Sequence, residues 1–267
     1  MDKYLKQIEI DFGEWGDIFT PYDLFKENNS PFKRLCEKGY SRANSRLVFS
    51  VCSDDINRLR ERITIENSLK EQFGEEFHLG NLAAYPIGGL SGIIAASHHT
   101  PNIFGGEESK TSNLIFFINP HVGLVITTDE VIYGHTFRPS QIRSTNCCEP
   151  IMEFLHYLRH AESFKDIKKI SDDMDDPMKV LLFQEFLNNH RQEVEELLKI
   201  FEMNHLIIET TKLNYKIVIN KFNSILKKFL EMEEFEGNYA VMGGITVNTK
   251  DMDYLIFRDY ALNSIPK

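Results

Sequence analysis

Two kinds of apolar run organise this chain. Leu47-Val48-Phe49-Ser50-Val51 and Leu114-Ile115-Phe116-Phe117-Ile118 are short and nearly unbroken, the pattern of strands buried on both faces. Pro120 closes the second, and residues 122–126 then resume as another strand. Residues 93–97 read as a further strand that ends at His98-His99-Thr100-Pro101. Longer segments carry helical spacing instead. Ser53-Asp54-Asp55 opens a helix through Ile56, Leu59 and Ile63, with Ser53 or Asp54 as its N-cap. Glu149-Pro150 starts another, with a stripe of Ile151, Phe154, Leu155 and Leu158. Two long amphipathic segments follow near 178–210 and 213–232, and strands at 239–247 and 254–257 close the chain. The pattern predicts an α/β protein, its central sheet flanked by helices, with an added long helical segment at 178–232 before the C-terminal strands. Residues 1–45, broken by Pro21 and Asn28-Asn29-Ser30-Pro31 and holding a helix near 31–38, read as an N-terminal helical or irregular extension. Residues 46–267 then form a single domain, with its final strands at 239–259.

Composition narrows the function classes. The 267 residues suffice for a sizeable core, and 42% apolar content is that of a globular protein. A formal net charge of −10 argues against nucleic-acid binding, which needs a basic face. No apolar run approaches a membrane span, and Met1-Asp2-Lys3-Tyr4-Leu5-Lys6 lacks the apolar centre of a signal peptide. The expected setting is cytoplasmic, where the four cysteines are thiols or ligands and not a disulfide framework.

Other motifs exclude themselves by spacing. Pro86-Ile87-Gly88-Gly89-Leu90-Ser91-Gly92 fits neither a phosphate loop nor a dinucleotide fingerprint, and reads as tight backbone packing. Asp172-Asp173-Met174-Asp175-Asp176-Pro177 lacks the alternation and glycine of a calcium loop, and reads as an acidic linker capping the next helix. Residues 102–112 read as an exposed hairpin-like loop.

What remains is a set of residues at strand ends. Cys52 follows one buried strand, His121 opens the turn after another, and Cys147-Cys148 lie beyond the loop Arg138-Pro139-Ser140. Two thiolates and an imidazole suit zinc and leave one tetrahedral position open, as in catalytic sites. By spacing alone, however, buried free thiols and a core histidine fit these positions equally well.

Context adds a resemblance. Cys52-Ser53-Asp54-Asp55, His98-His99-Thr100-Pro101, Asn119-Pro120-His121-Val122-Gly123, Arg138-Pro139 and Ser144-Thr145-Asn146-Cys147 occur in that order. In this the chain resembles the limiting-CO2-inducible protein B/C family, which is similar to β-class carbonic anhydrases. The likeness covers residues 46–150 and extends to Gly243-Gly244-Ile245-Thr246-Val247-Asn248-Thr249. It implies a β-carbonic-anhydrase-like sheet, a homodimer, and zinc-dependent reversible hydration of carbon dioxide to bicarbonate. It implies Cys52, His121 and Cys147 as Zn2+ ligands and Asp54 as the catalytic carboxylate of a Cys-x-Asp-x-Arg motif.

The chain departs from that pattern twice. Ile56 stands where the motif has arginine, which leaves Arg58, four residues after Asp54, as the cation expected to hold it. Cys148-Glu149 replaces a small Gly-Ala pair, so that Cys148 could supply the sulfur although Cys147 matches better. His98, His99 or His135 would carry the proton released in each cycle, His98 and His99 lining the pocket. The departures leave room for a noncatalytic zinc-binding subunit that binds or assembles around inorganic carbon. An open zinc that hydrolyses another small substrate is a further alternative.

Overall fold

The computed structural model describes every residue except 1, 102, 105–106, 109–111, 173–174, 233–234, 236 and 267. Helix α1 (Lys3–Phe12), strand β1 (Asp17–Phe19) and helix α2 (Pro31–Glu37) lead into β2 (Ser45–Val51). Then come α3 (Ile65–Phe73), β3 (Glu76–His78), α4 (Gly89–His98) and a short antiparallel pair, β4 (Ile103–Phe104) with β5 (Glu107–Glu108). The centre is β6 (Asn113–Asn119) and β7 (His121–Ile126), followed by β8 (Val131–Tyr133), β9 (His135–Thr136) and β10 (Thr145–Asn146). Helices α5 (Glu149–His160), α6 (Phe164–Asp172), α7 (Pro177–Gln184), α8 (Arg191–Leu197) and α9 (Met203–Met232) precede β11 (Asn238–Asn248) and β12 (Asp253–Leu262).

The main sheet runs β1-β12-β11-β6-β2-β3, with β7 on β11 and β8 on β7. Strands β3, β2, β6 and β11 are mutually parallel, while β12 and β1 add an antiparallel edge. The unbroken apolar runs follow from burial on both faces. Leu114, Phe116 and Ile118 enter the core beneath α5, α7 and α9, and Ile115 and Phe117 face the opposite core with Phe32 of α2 and Phe73 of α3. Residues 1–45 pack on this body: β1 pairs with β12, and Ile8 and Phe12 lie in the main core.

Two elements differ from the sequence pattern. Residues 93–97 are helical, part of α4, because joining parallel strands β3 and β6 requires a crossover. Ile93 and Ala96 supply its buried face, and Gly92 lies so close to Leu79 that an added Cβ would sit 2.6 Å from its Cδ1. The expected helix after Asp54 is only a 3-10 turn at Asp55–Arg58. Arg62 takes the Ile56 carbonyl at 2.7 Å, the acceptor that a continuing helix would use, and the helix proper restarts at Thr64, whose Oγ1 accepts from the Asn67 amide at 3.1 Å. The long helical segment breaks at 198–202, leaving α9 as one 30-residue helix. The expected loops at 102–112 and 172–177 fall partly outside the described residues; Asp176 does cap α7, accepting from the Met178 and Lys179 amides. No helix among the described residues is long and apolar enough to cross a membrane.

Candidate metal centre

Pro120 splits what would otherwise be one strand. Up to Asn119 the chain pairs with β2 on one side and β11 on the other; beyond Pro120 it keeps β11 and turns to β8. β2 ends at Val51, opposite Asn119, so Cys52 and His121 emerge side by side where the sheet divides. Such a division at the carboxyl ends of parallel strands opens a crevice. The Cys147 amide bonds the Gly134 carbonyl at 2.8 Å, which brings the third segment in. Gly123 makes room for it, since a Cβ there would lie 2.7 Å from that of Cys147.

His121 is the pivot. Its Nδ1 lies 2.7 Å from Asn248 Oδ1, an acceptor, so in the neutral ring Nδ1 carries the proton and Nε2 the lone pair. Asn248 is fixed in turn, its Nδ2 donating to Asn57 Oδ1 at 3.0 Å and Asp253 Oδ1 at 2.9 Å. Asp253 pairs with Arg62 at 3.0 Å in a buried ion pair. Nε2 is 1% exposed with its ring and has no hydrogen-bond partner. A buried nitrogen oriented by three layers of polar contact and left with a free lone pair is what a metal ligand requires.

The donors around it fit. Sulfurs of Cys52 and Cys148 lie within 4.8 Å of each other and of a His121 ring nitrogen, and Asp54 and Cys147 form a second such group with the same ring. Ligands sharing one zinc stand roughly 3.5–4 Å apart, so modest contraction suffices. All four cysteines of the chain are free thiols.

The sequence profile of the limiting CO2-inducible proteins B/C β carbonic anhydrases matches residues 28–263. The chain belongs to this family. A crystal structure of PtLCIB4, a homolog of the limiting CO2-inducible protein LCIB, superposes with a TM-score of 0.74 at 22% identity, covering 97% of this chain and 94% of the other. The crystal structure of LCIB itself gives 0.66 at 12% identity, covering 98% and 95%. These likenesses show the LCIB fold. Among curated proteins, none matches the chain.

Within this LCIB-family fold the electrostatics are strongly coupled. A hydrogen bond from Cys148 holds the Cys52 thiol well below its ordinary pKa despite burial, and the same bond pushes Cys148 up. Burial opposes charge on His121, but the surrounding sulfurs of Cys147, Cys52 and Cys148 outweigh it and raise the ring's pKa. Burial also opposes a charged Asp54, which His121 and Arg138 nonetheless hold below the usual carboxylate range.

Arg138 is the residue that sequence reasoning missed in this role. Its Nη2 donates to Asp54 Oδ1 at 2.7 Å, its Nε to Asp55 at 3.2 Å, and its Nη1 to Thr145 and the Asn146 carbonyl. The cation absent at Ile56, itself fully buried, thus arrives from a loop 84 residues away. Arg58, expected to hold Asp54, turns instead to His78 Nε2 at 3.4 Å. Asp54 Oδ1 also accepts from the Ile56 amide at 3.2 Å, and its Oδ2 accepts from the Cys148 amide at 3.3 Å while standing 4.0 Å from His121 Nε2. The Arg138-Pro139 dipeptide stood among the resemblance motifs, but no spacing rule joins it to Asp54.

His98 and His99 do not reach this centre. They are exposed at the end of α4, where the His99 carbonyl accepts from Arg46 at 2.7 Å. Arg46 lies at the amino end of β2, about 20 Å along the strand from Cys52. His135 is nearer, paired with Asn146 beside Cys147. Cys147 itself lies against the far edge of the His121 ring, 3.4 Å from Nδ1 and 3.3 Å from Asn248 Oδ1, whereas Cys148 groups with Cys52.

Proposed function

We propose that this protein catalyses the reversible hydration of carbon dioxide to bicarbonate, with zinc held by Cys52, His121 and a second sulfur from the Cys147-Cys148 pair. The observation that carries this reading is the partnerless, buried Nε2 of His121, set beside two thiols and an Asp54 carboxylate that Arg138 holds in place. Zinc held there would supply Lewis acidity to a hydrating water. The chain does the rest by positioning. Asn248 fixes the imidazole tautomer, and Arg138 with the Ile56 and Cys148 amides keeps Asp54 ionised and turned. Asp54 can then accept the O–H of a nucleophilic water and aim its lone pair at the substrate carbon. To His135, which pairs with Asn146 beside Cys147, we assign the outward passage of the released proton.

The reading includes a homodimer and a reducing, cytoplasmic setting, in which four free thiols are stable. Two thiolates donate more charge than neutral imidazoles, so activity is expected to rise toward alkaline pH. Metal analysis with stopped-flow hydration from neutral to alkaline pH tests it. One zinc per chain and a rate that climbs with pH are expected, whereas a fully zinc-loaded protein silent at every pH would leave the noncatalytic subunit as the correct reading. That second reading draws on the surplus thiol and on the deep burial of Cys52, His121, Cys147 and Cys148.

A further inference from the structure

Three thiols surround His121 where a site with one open position needs two, and the backbone distinguishes them. Cys147 is held by its amide bond to Gly134 and by its Cβ against Gly123, which directs its sulfur to the Nδ1 edge of His121. There its thiol donates to Asn248 Oδ1 at 3.3 Å, a carbonyl oxygen with a second lone pair to spare. Adjacent side chains on an extended segment point to opposite sides, so Cys148 would be expected to face away. It does not, because its backbone adopts the left-handed conformation, φ +66° and ψ +69°. That conformation favours glycine and costs a cysteine roughly 1 kcal/mol. It turns the buried Cys148 side chain back to within 4.8 Å of Cys52 Sγ and a His121 nitrogen, and aims the Cys148 amide at Asp54 Oδ2. A strained backbone at a site residue is itself a pointer to function.

We propose that Cys148, and not Cys147, supplies the second sulfur to the metal, and that Cys147 is a positioning thiol that steadies His121 and Asn248 from behind. The inference rests on the metal-centre reading above and moves the thiol ligand by one residue. Cobalt(II) reconstitution of purified, apo-prepared full-length protein tests it, because the near-ultraviolet thiolate-to-cobalt band scales with the number of sulfurs bound. Cys148→Ser should halve the band relative to wild type, and Cys147→Ser should leave its intensity unchanged. Cys148→Gly, which accepts the left-handed backbone without strain, should show the same halving if the serine variant folds poorly. Halving in Cys147→Ser with none in Cys148→Gly overturns the assignment, as does loss of one third in each variant, which would mean that all three thiols bind. The count of sulfurs is independent of turnover. A cobalt-binding protein that hydrates no carbon dioxide would therefore defeat the proposed activity and leave the ligand assignment to be decided by the band.

Discussion

His121 and the His98-His99 pair both follow apolar runs, yet they finish at opposite ends of the sheet. His121 begins β7 at the carboxyl ends of parallel strands, 1% exposed, with its proton fixed by Asn248 and its lone pair free. His98 and His99 finish α4 in solvent near the amino end of β2. A histidine acquires ligand character here from the convergence of strand ends and from a polar layer behind it, not from the apolar run before it. Parallel strands deliver their carboxyl ends to one edge, and the break at Pro120 turns that edge into a crevice.

The largest effect expected from this contrast is loss of metal. Cys52→Ser and His121→Ala should each abolish stoichiometric zinc and drop hydration below about one hundredth of wild type, by metal analysis and stopped flow. Full zinc in both variants would dissolve the distinction between the two ends. Arg138→Ala should keep zinc while slowing hydration by about 100-fold, the scale of removing one preorganised electrostatic contact. Unchanged turnover there would show that Asp54 needs no cation. Asn248→Ala leaves the His121 Nδ1 proton without its acceptor and should weaken zinc affinity by roughly 10–100-fold in chelator competition.

A smaller effect probes how dry the layer behind the centre is. Burial raises the Glu66 carboxyl to about 8, with the Arg58 charge opposing and the Asp253 charge assisting. With the folded pKa above the unfolded value, the protonated form's contribution is complete below about pH 4 and is lost as pH rises through 8. Glu66→Gln, which imitates the neutral acid, should match wild type near pH 4 and exceed its stability above pH 8 by about 2–4 kcal/mol. Denaturant melts at the two pH values check this, and parallel curves would mean that Glu66 is hydrated. At the other end of the sheet, the His98→Gln and His99→Gln double variant should alter zinc content and hydration by less than about twofold. A tenfold loss would return those histidines to the reaction.

Much of this architecture was legible in one dimension because both-face burial writes itself as unbroken apolar runs: β2, β6, β7, β11 and β12 stand where the pattern predicts them. So does α5, whose start at Glu149-Pro150 follows from proline's fit to a first helical turn. Residues 93–97 misled, because four apolar residues in a row fit a buried strand and a buried helix alike, and only the crossover between parallel strands decides between them. The helix expected after Asp54 failed for a related reason, since Arg62, from outside the turn, occupies the Ile56 carbonyl that a continuing helix would use.

The sequence by itself determined the longer buried strands, the family pattern and the residue types gathered at strand ends, because these depend on local periodicity and on motifs a few residues long. Only the tertiary structure decided that Arg138 holds Asp54, that Asn248 orients His121, and that Cys148 turns back toward Cys52. The first two pairings span 84 and 127 residues, and the third depends on one left-handed backbone angle. Contacts of that separation leave no periodic trace, and they exist only once the sheet has brought its strand ends to a common edge.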